Sequence, residues 1–213
     1  MESKLGGFQQ NPKGTLRISA PVSFALKHMA KLVTDFQTRY PSVNVDLQLN
    51  DRKVDIVEEG FDVALRIGQL KSSSLIAKQV APVRVILCAS PAYLDKYGVP
   101  SKPEDLKNHR YLHYSYMEKY GKEDIYQWLD ATNQLSPELS SNNGDLQPTF
   151  IASEALSKGE LMTVLPDYEP ETLGLYAVYA HRKLLPHKIR CFIDFIEGYY
   201  GSPPYWDESI QHL

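Results

Sequence analysis

Residues 14–68, GTLRISAPVSFALKHMAKLVTDFQTRYPSVNVDLQLNDRKVDIVEEGFDVALRIG, decide the fold class. Leu16 and Ile18 alternate with Arg17 and Ser19, the two-residue period of a strand. Met29, Leu32, Val33, Phe36 and Tyr40 then recur at helical spacing and make one apolar stripe. Ser23 reads as the N-cap of that helix and Pro41 as its stop. Val43, Val45, Leu47 and Leu49 alternate with Asn44, Asp46, Gln48 and Asn50, which predicts a second strand with one buried face. Asp51 reads as the cap of a second, short helix carrying Val54 and Val57, with Gly60 at its left-handed end. Phe61–Ile67 is a third strand, closed by Gly68. Helices between strands imply parallel pairing with right-handed crossovers, an α/β fold. Such folds take ligands at the carboxyl ends of their strands.

Outward from that unit, 75–80 and 83–89 are expected as two further strands with Ala81-Pro82 as the break. Ser90-Pro91 is a helix start, with proline at the first helical position. Gly98 ends that helix, and a second short helical start follows at 101–106. From Tyr111 to Trp128 aromatic residues crowd a segment of weak period, read as a second, smaller lobe whose rings serve core and interface packing. Leu175–Tyr179 is a late strand. Pro186–Tyr200 is an amphipathic helix burying Ile189, Phe192, Ile193 and Ile196. The tail, 201–213, is expected to be irregular and peripheral. The boundaries that follow are 1–13 as the end of a linker helix, 14–89 as the first part of lobe I, 90–174 as lobe II, and 175–200 as the return to lobe I.

Composition narrows the functional classes. The chain has 213 residues, enough for a sizeable core, and 43% hydrophobic and 23% charged residues are ordinary for a globular protein. No apolar run approaches the roughly 20 residues of a membrane span, so no membrane partner is expected. Residues 1–14 lack an apolar core of the secretory kind, and the two cysteines, Cys88 and Cys191, read as reduced and buried; both point to the cytoplasm. Lys and Arg total 23 against 26 Asp and Glu, and the basic residues are scattered. Nucleic-acid affinity needs clustered phosphate-binding cations, so this chain alone is expected to bind DNA weakly.

Signals for catalysis are thin. There is no G-x-S-x-G, H-E-x-x-H, G-x-G-x-x-G or G-x-x-x-x-G-K-[ST]. The six histidines show no metal-ligand spacing, so neither metal nor cofactor is expected. Glu58-Glu59 is a solvated helix end, and Cys88 lacks the basic neighbours of a nucleophile. The hydroxyl and amide positions are better candidates. Ser19 and Ser23 flank the first helix start, Asn50 ends the second strand, Ser72–Ser74 follow the third, and Ser141-Asn142-Asn143-Gly144 ends a strand of the other lobe. Taken singly, each reads as turn chemistry or capping. Together, three of the groups fall at carboxyl ends of adjacent parallel strands, where a shared pocket for an anion or polar ligand would form.

Gly14–Pro21, FQTRYPSV at 36–43, DRKVDIVEEGFDVALRI at 51–67, LCASPAYL at 87–94 and IRCFIDF at 189–195 together resemble the effector-binding domain of LysR-type transcriptional regulators, nearest the CrgA branch. The resemblance implies two Rossmann-like lobes like those of type 2 periplasmic binding proteins, with a small polar or carboxylate metabolite held between them. It implies a homodimer or tetramer. It further implies that DNA is read by an N-terminal winged helix-turn-helix, for which 1–11 has no room. By resemblance, the effector contacts are Ser23, Asn50 and Gln69, the last at a position where some relatives carry arginine. Arg66 supplies charge if its strand points it inward. Relatives insert a helix and a strand near 145–148, where in this chain Ser141–Asp145 is followed at once by Leu146–Phe150. Two other functions share these features less well. A transporter's solute receptor would have the same fold, and a small hydrolase would use Ser23 or Cys88.

Overall fold

The computed structural model describes residues 11–69, 75–112, 144–180, 185–208 and 210. Of these residues, 11–65, 75–78 and 177–199 form one compact unit; 66–69, 79–176 and those from 200 onward form a second. The chain passes from one unit to the other within three strands.

The first sheet has five strands in the order β2-β1-β3-β9-β4. Here β1 is Gly14–Ala20, β2 Val43–Leu49, β3 Val63–Gly68, β4 Leu75–Val83 and β9 Leu173–Ala180. β1 runs parallel to β2 in the register Gly14↔Val43 to Ala20↔Leu49, and parallel to β3 through Ile18↔Val63 and Ser19↔Ala64. The alternation in 14–49 thus gives the expected strand–helix–strand unit. Its helix α1, Val22–Arg39, buries Phe24, Ala25, His28, Met29, Leu32 and Phe36. Helix α4, His187–Ile196, packs beside it, with Phe192 edge-on to Phe36 at 5.3 Å between ring centroids. The predicted face of α4 is the buried one, with Cys191 added.

Arg17 ties this unit together. Its Nε reaches Asp46 Oδ2 at 3.1 Å, its Nη1 donates to the carbonyls of Glu59 and Gly60, and its guanidinium lies over the Phe61 ring. Gly60 has φ +69°, and a Cβ there would stand 3.0 Å from Arg17 Nη1, so glycine answers both the turn and the close approach.

Three local expectations are corrected. Residues 51–60 form no second helix but a turn over 56–60. Asp55, not Asp51, organises it, accepting from the N–H groups of Val57 and Glu58. One turn fixed by a side chain is too short to nucleate a helix. Pro82 does not break the strand, because it lies in β4, at the edge of the sheet, where a missing N–H is tolerated. The third concerns the buried face of β2, which is only partly covered. Val43 is buried, Val45 and Leu47 are half-buried, and Leu49 is 40% exposed.

The second unit holds a sheet in the order β6-β7-β5-β8, with β5 Val85–Ala89, β6 Tyr111–Leu112, β7 Gly144–Pro148 and β8 Met162–Val164. β5 is apolar and buried throughout, pairs antiparallel with both β7 and β8, and belongs to this unit rather than to the first. Residues 144–148 are themselves a strand and run straight into helix α3, Thr149–Ser157. Helix α2, Pro91–Tyr97, starts as predicted, with Ser90 Oγ accepting from Tyr93 N at 3.2 Å. The tail is not peripheral. Trp206 and Asp207, in a short 3₁₀ turn over Tyr205–Asp207, are 3% and 2% exposed. Ile210 joins Ile86, Cys88, Ala152 and Leu156 in one apolar cluster. The segment expected in 113–128 to carry the aromatic crowd lies outside the described residues.

Candidate functional site

The parallel register places three of the expected site residues at one edge of the first unit. Ser19 is next to last in β1 and fully buried. The chain then turns through Pro21 into α1, so Ser23 stands in the helix's first turn, half-exposed. Across the pair, Asn50 follows the last residue of β2, and its N–H donates to Ala20 O at 2.8 Å. Ser19, Ser23 and Asn50 therefore share the carboxyl end of two adjacent strands and the amino end of the helix between them.

Ser23 does not cap α1. The helix begins at Val22 with Pro21 as its N-cap, and proline has no side-chain acceptor to offer. The acceptor comes instead from Asp51, whose Oδ1 takes the Val22 N–H at 2.9 Å. No spacing rule for local capping finds Asp51, because it is 29 residues away. The signal is the βαβ topology itself, which returns the residue after β2 to the start of α1. Ala25 N is satisfied by Pro21 O at 2.9 Å. The Ser23 hydroxyl and N–H take no hydrogen-bond partner among the described residues. A helix start with such groups offers donors to an oxygen-bearing ligand. The Asn50 side chain is partly committed, its Oδ1 accepting from Arg52 N at 3.0 Å while its amide hydrogens stay available.

Arg66 and Gln69 belong to the second unit. Arg66 is half-buried and engaged. Gln69 is exposed, and its Nε2 donates to Glu171 Oε2 at 2.5 Å. Ser72 and Asn142 lie outside the described residues. Among the described residues no group of three His, Cys, Asp or Glu could hold a metal ion, and Cys88 and Cys191 are buried and unbridged.

A separate cavity lies within the second unit, walled by Leu87, Cys88, Tyr93, Leu94, His109 and Val164 among others. At about 20 Å³ it holds roughly a water molecule, too little for a metabolite. On its wall the Tyr93 hydroxyl accepts from Arg110 N at 2.8 Å and lies 3.3 Å from His109 Nδ1. Burial holds the His109 imidazole below its usual range, with Asp105 opposing weakly.

The description of the LysR substrate binding domain family matches residues 9–145. The chain is 31% identical over 207 residues to an uncharacterized HTH-type transcriptional regulator of Haemophilus influenzae, covering 88% of this chain and 70% of the relative. It is 27% identical over 218 residues to the HTH-type transcriptional regulator CrgA of Neisseria meningitidis, covering 94% and 72%. Among solved structures it is similar to the full-length virulence activator AphB of Vibrio cholerae. The TM-score is 0.70 at 28% identity, with 89% of this chain and 70% of the other covered.

Proposed function

The chain belongs to the LysR substrate-binding domain family, and from that premise we propose that it senses a small polar or carboxylate metabolite at the carboxyl end of β1 and β2. It is the effector-binding domain of a LysR-type transcriptional regulator, with the fold of the regulatory domains of that family. The relatives are transcriptional regulators, so a transporter's receptor is not favoured. The family is not normally enzymatic, and the hydroxyl-bearing turns here act as contacts rather than nucleophiles. Members of the family bind DNA through an N-terminal domain. This chain works in the cytoplasm, and the DNA contact is made by its parent protein.

The observation that carries the reading is the convergence at α1. Ser23 offers a hydroxyl and an N–H, Asn50 offers amide hydrogens, and Ser19 lines the strand end. The electrostatics refine the ligand class. Asp51 already places a carboxylate on the first N–H of α1. Negative charge there weighs against a strongly anionic effector and favours a neutral or zwitterionic one with several acceptors. The effector acts only through its differential affinity for two states of the parent, and couplings of about 1–3 kcal/mol are typical.

A thermal-shift screen of carboxylates, amino acids and aromatic acids tests the site. Ligand at about 100 times its Kd adds about 2.7 kcal/mol, which is several degrees at roughly 2–4 °C per kcal/mol. Ser23→Phe should remove the shift of a true effector. A shift that survives that substitution places the ligand elsewhere.

A further inference from the structure

Where the chain leaves α4 and returns to the second unit, it buries a carboxyl oxygen that has no hydrogen-bond partner. Asp207 is 2% exposed, and its Oδ1 has no hydrogen-bond partner. Thr149, at the first position of α3, is fully buried, and its hydroxyl is likewise unpartnered. The neighbouring cation is spoken for, because Arg84 binds Glu169 through two contacts, Nη2 to Oε1 at 2.8 Å and Nε to Oε2 at 3.3 Å. An ionised carboxylate left in such a place is costly, whereas a protonated one is a donor as well as an acceptor.

We propose that Asp207 is a proton-operated latch that fastens the tail, 200–210, onto α3. With its proton in place the carboxyl is neutral, and the flanking Trp206 and Ile210 stay seated in the second unit. When the proton leaves, the buried charge favours release of the turn to water. The charged and titratable groups around it are few. Its own turn carries Tyr205 and the exposed Glu208. Arg84 comes from the junction of β4 and β5, and Glu169 from the turn after β8. Burial raises the carboxyl above its ordinary range; the Thr149 hydroxyl and Arg84 oppose the rise, and Glu169 adds to it.

The sign follows from the raised folded value. The unfastened tail has an ordinary carboxylate, so docking is firmest in acid and weakens as pH rises through the folded value. This is a property of the second unit and does not depend on the effector site.

Trp206 provides the readout. The full chain has two tryptophans, so Trp128→Phe leaves Trp206 alone. Its emission is followed from about pH 4 to about pH 8, together with hydrogen exchange of the 200–210 segment in the unmodified chain, corrected for the intrinsic pH dependence of exchange. The expected result is buried emission and strong protection in acid, both declining with a midpoint above the ordinary carboxylate range. Asp207→Asn should hold the tail docked at every pH. Thr149→Val, which removes the opposing hydroxyl, should move the midpoint to higher pH. A wild-type tail whose emission and protection are flat across the range overturns the latch, as does an Asp207→Asn chain that keeps the transition.

Discussion

Asp51 shows how one side chain can bear on both the stability of a helix and the charge at the proposed site. Its carboxylate caps α1 from the far end of β2, satisfying an N–H that Pro21 cannot. Asparagine is as good a cap as aspartate, so Asp51→Asn should change stability by less than about 0.5 kcal/mol in urea titrations, whereas Asp51→Ala should cost about 1 kcal/mol. Removing the charge from a helix start is worth about 0.3–1 kcal/mol toward an anion. Asp51→Asn should therefore tighten carboxylate ligands by about 2–5-fold in calorimetric titrations and leave neutral ligands unchanged. Equal affinities in both chains would separate Asp51 from the ligand. Ser19, Ser23 and Asn50 were legible as candidates because each follows or ends a strand whose period is clear. Asp51 was legible only as a local cap, since its true partner is set by tertiary return of the chain rather than by spacing.

At the level of elements, what the sequence predicts and what it misses divide by the source of stability. β1, α1, β2 and α4 carry their own periods, and the structure follows them. The run VILCA in β5 has no period, because both faces are buried, so its place in the second sheet could not be read from it. The turn over 205–207 has no period either, and its burial depends on α3, on Phe150 and on Tyr200. Trp206→Ala should remove a ring that is 3% exposed and cost about 3–5 kcal/mol, measured by denaturant unfolding. A loss below about 1 kcal/mol would mean that the tail is a surface ornament. The pH responses of two elements oppose each other. Asp207 favours docking in acid, while His109, held neutral beside α2, contributes stability that is lost as pH falls through its lowered value.

For the molecule as a whole, the face of β2 is only partly covered by the described residues. β2 is an edge strand of its sheet, Leu49 is 40% exposed, and Leu26 on the outer face of α1 is 71% exposed. Edge strands and large apolar residues left open are surfaces that a second chain can cover. We propose this surface for the self-association expected of the family. Light scattering at tens of micromolar should find a dimer, and Leu26→Asp should convert it to a folded monomer whose melting no longer depends on protein concentration, because Leu26 is exposed and supports no core of its own. A wild-type chain that stays monomeric would remove the surface from consideration.

The repeated passage of the chain between its two units has a practical corollary for protein engineering. Neither unit is a contiguous run of residues: β3, β4 and β9 each begin in one and finish in the other, and the stretch after Tyr199 changes side once more. No single protease nick or gene truncation can liberate either half intact. Chimeras that graft a new ligand preference onto a related regulator must exchange this whole domain, or else individual side chains, and nothing in between.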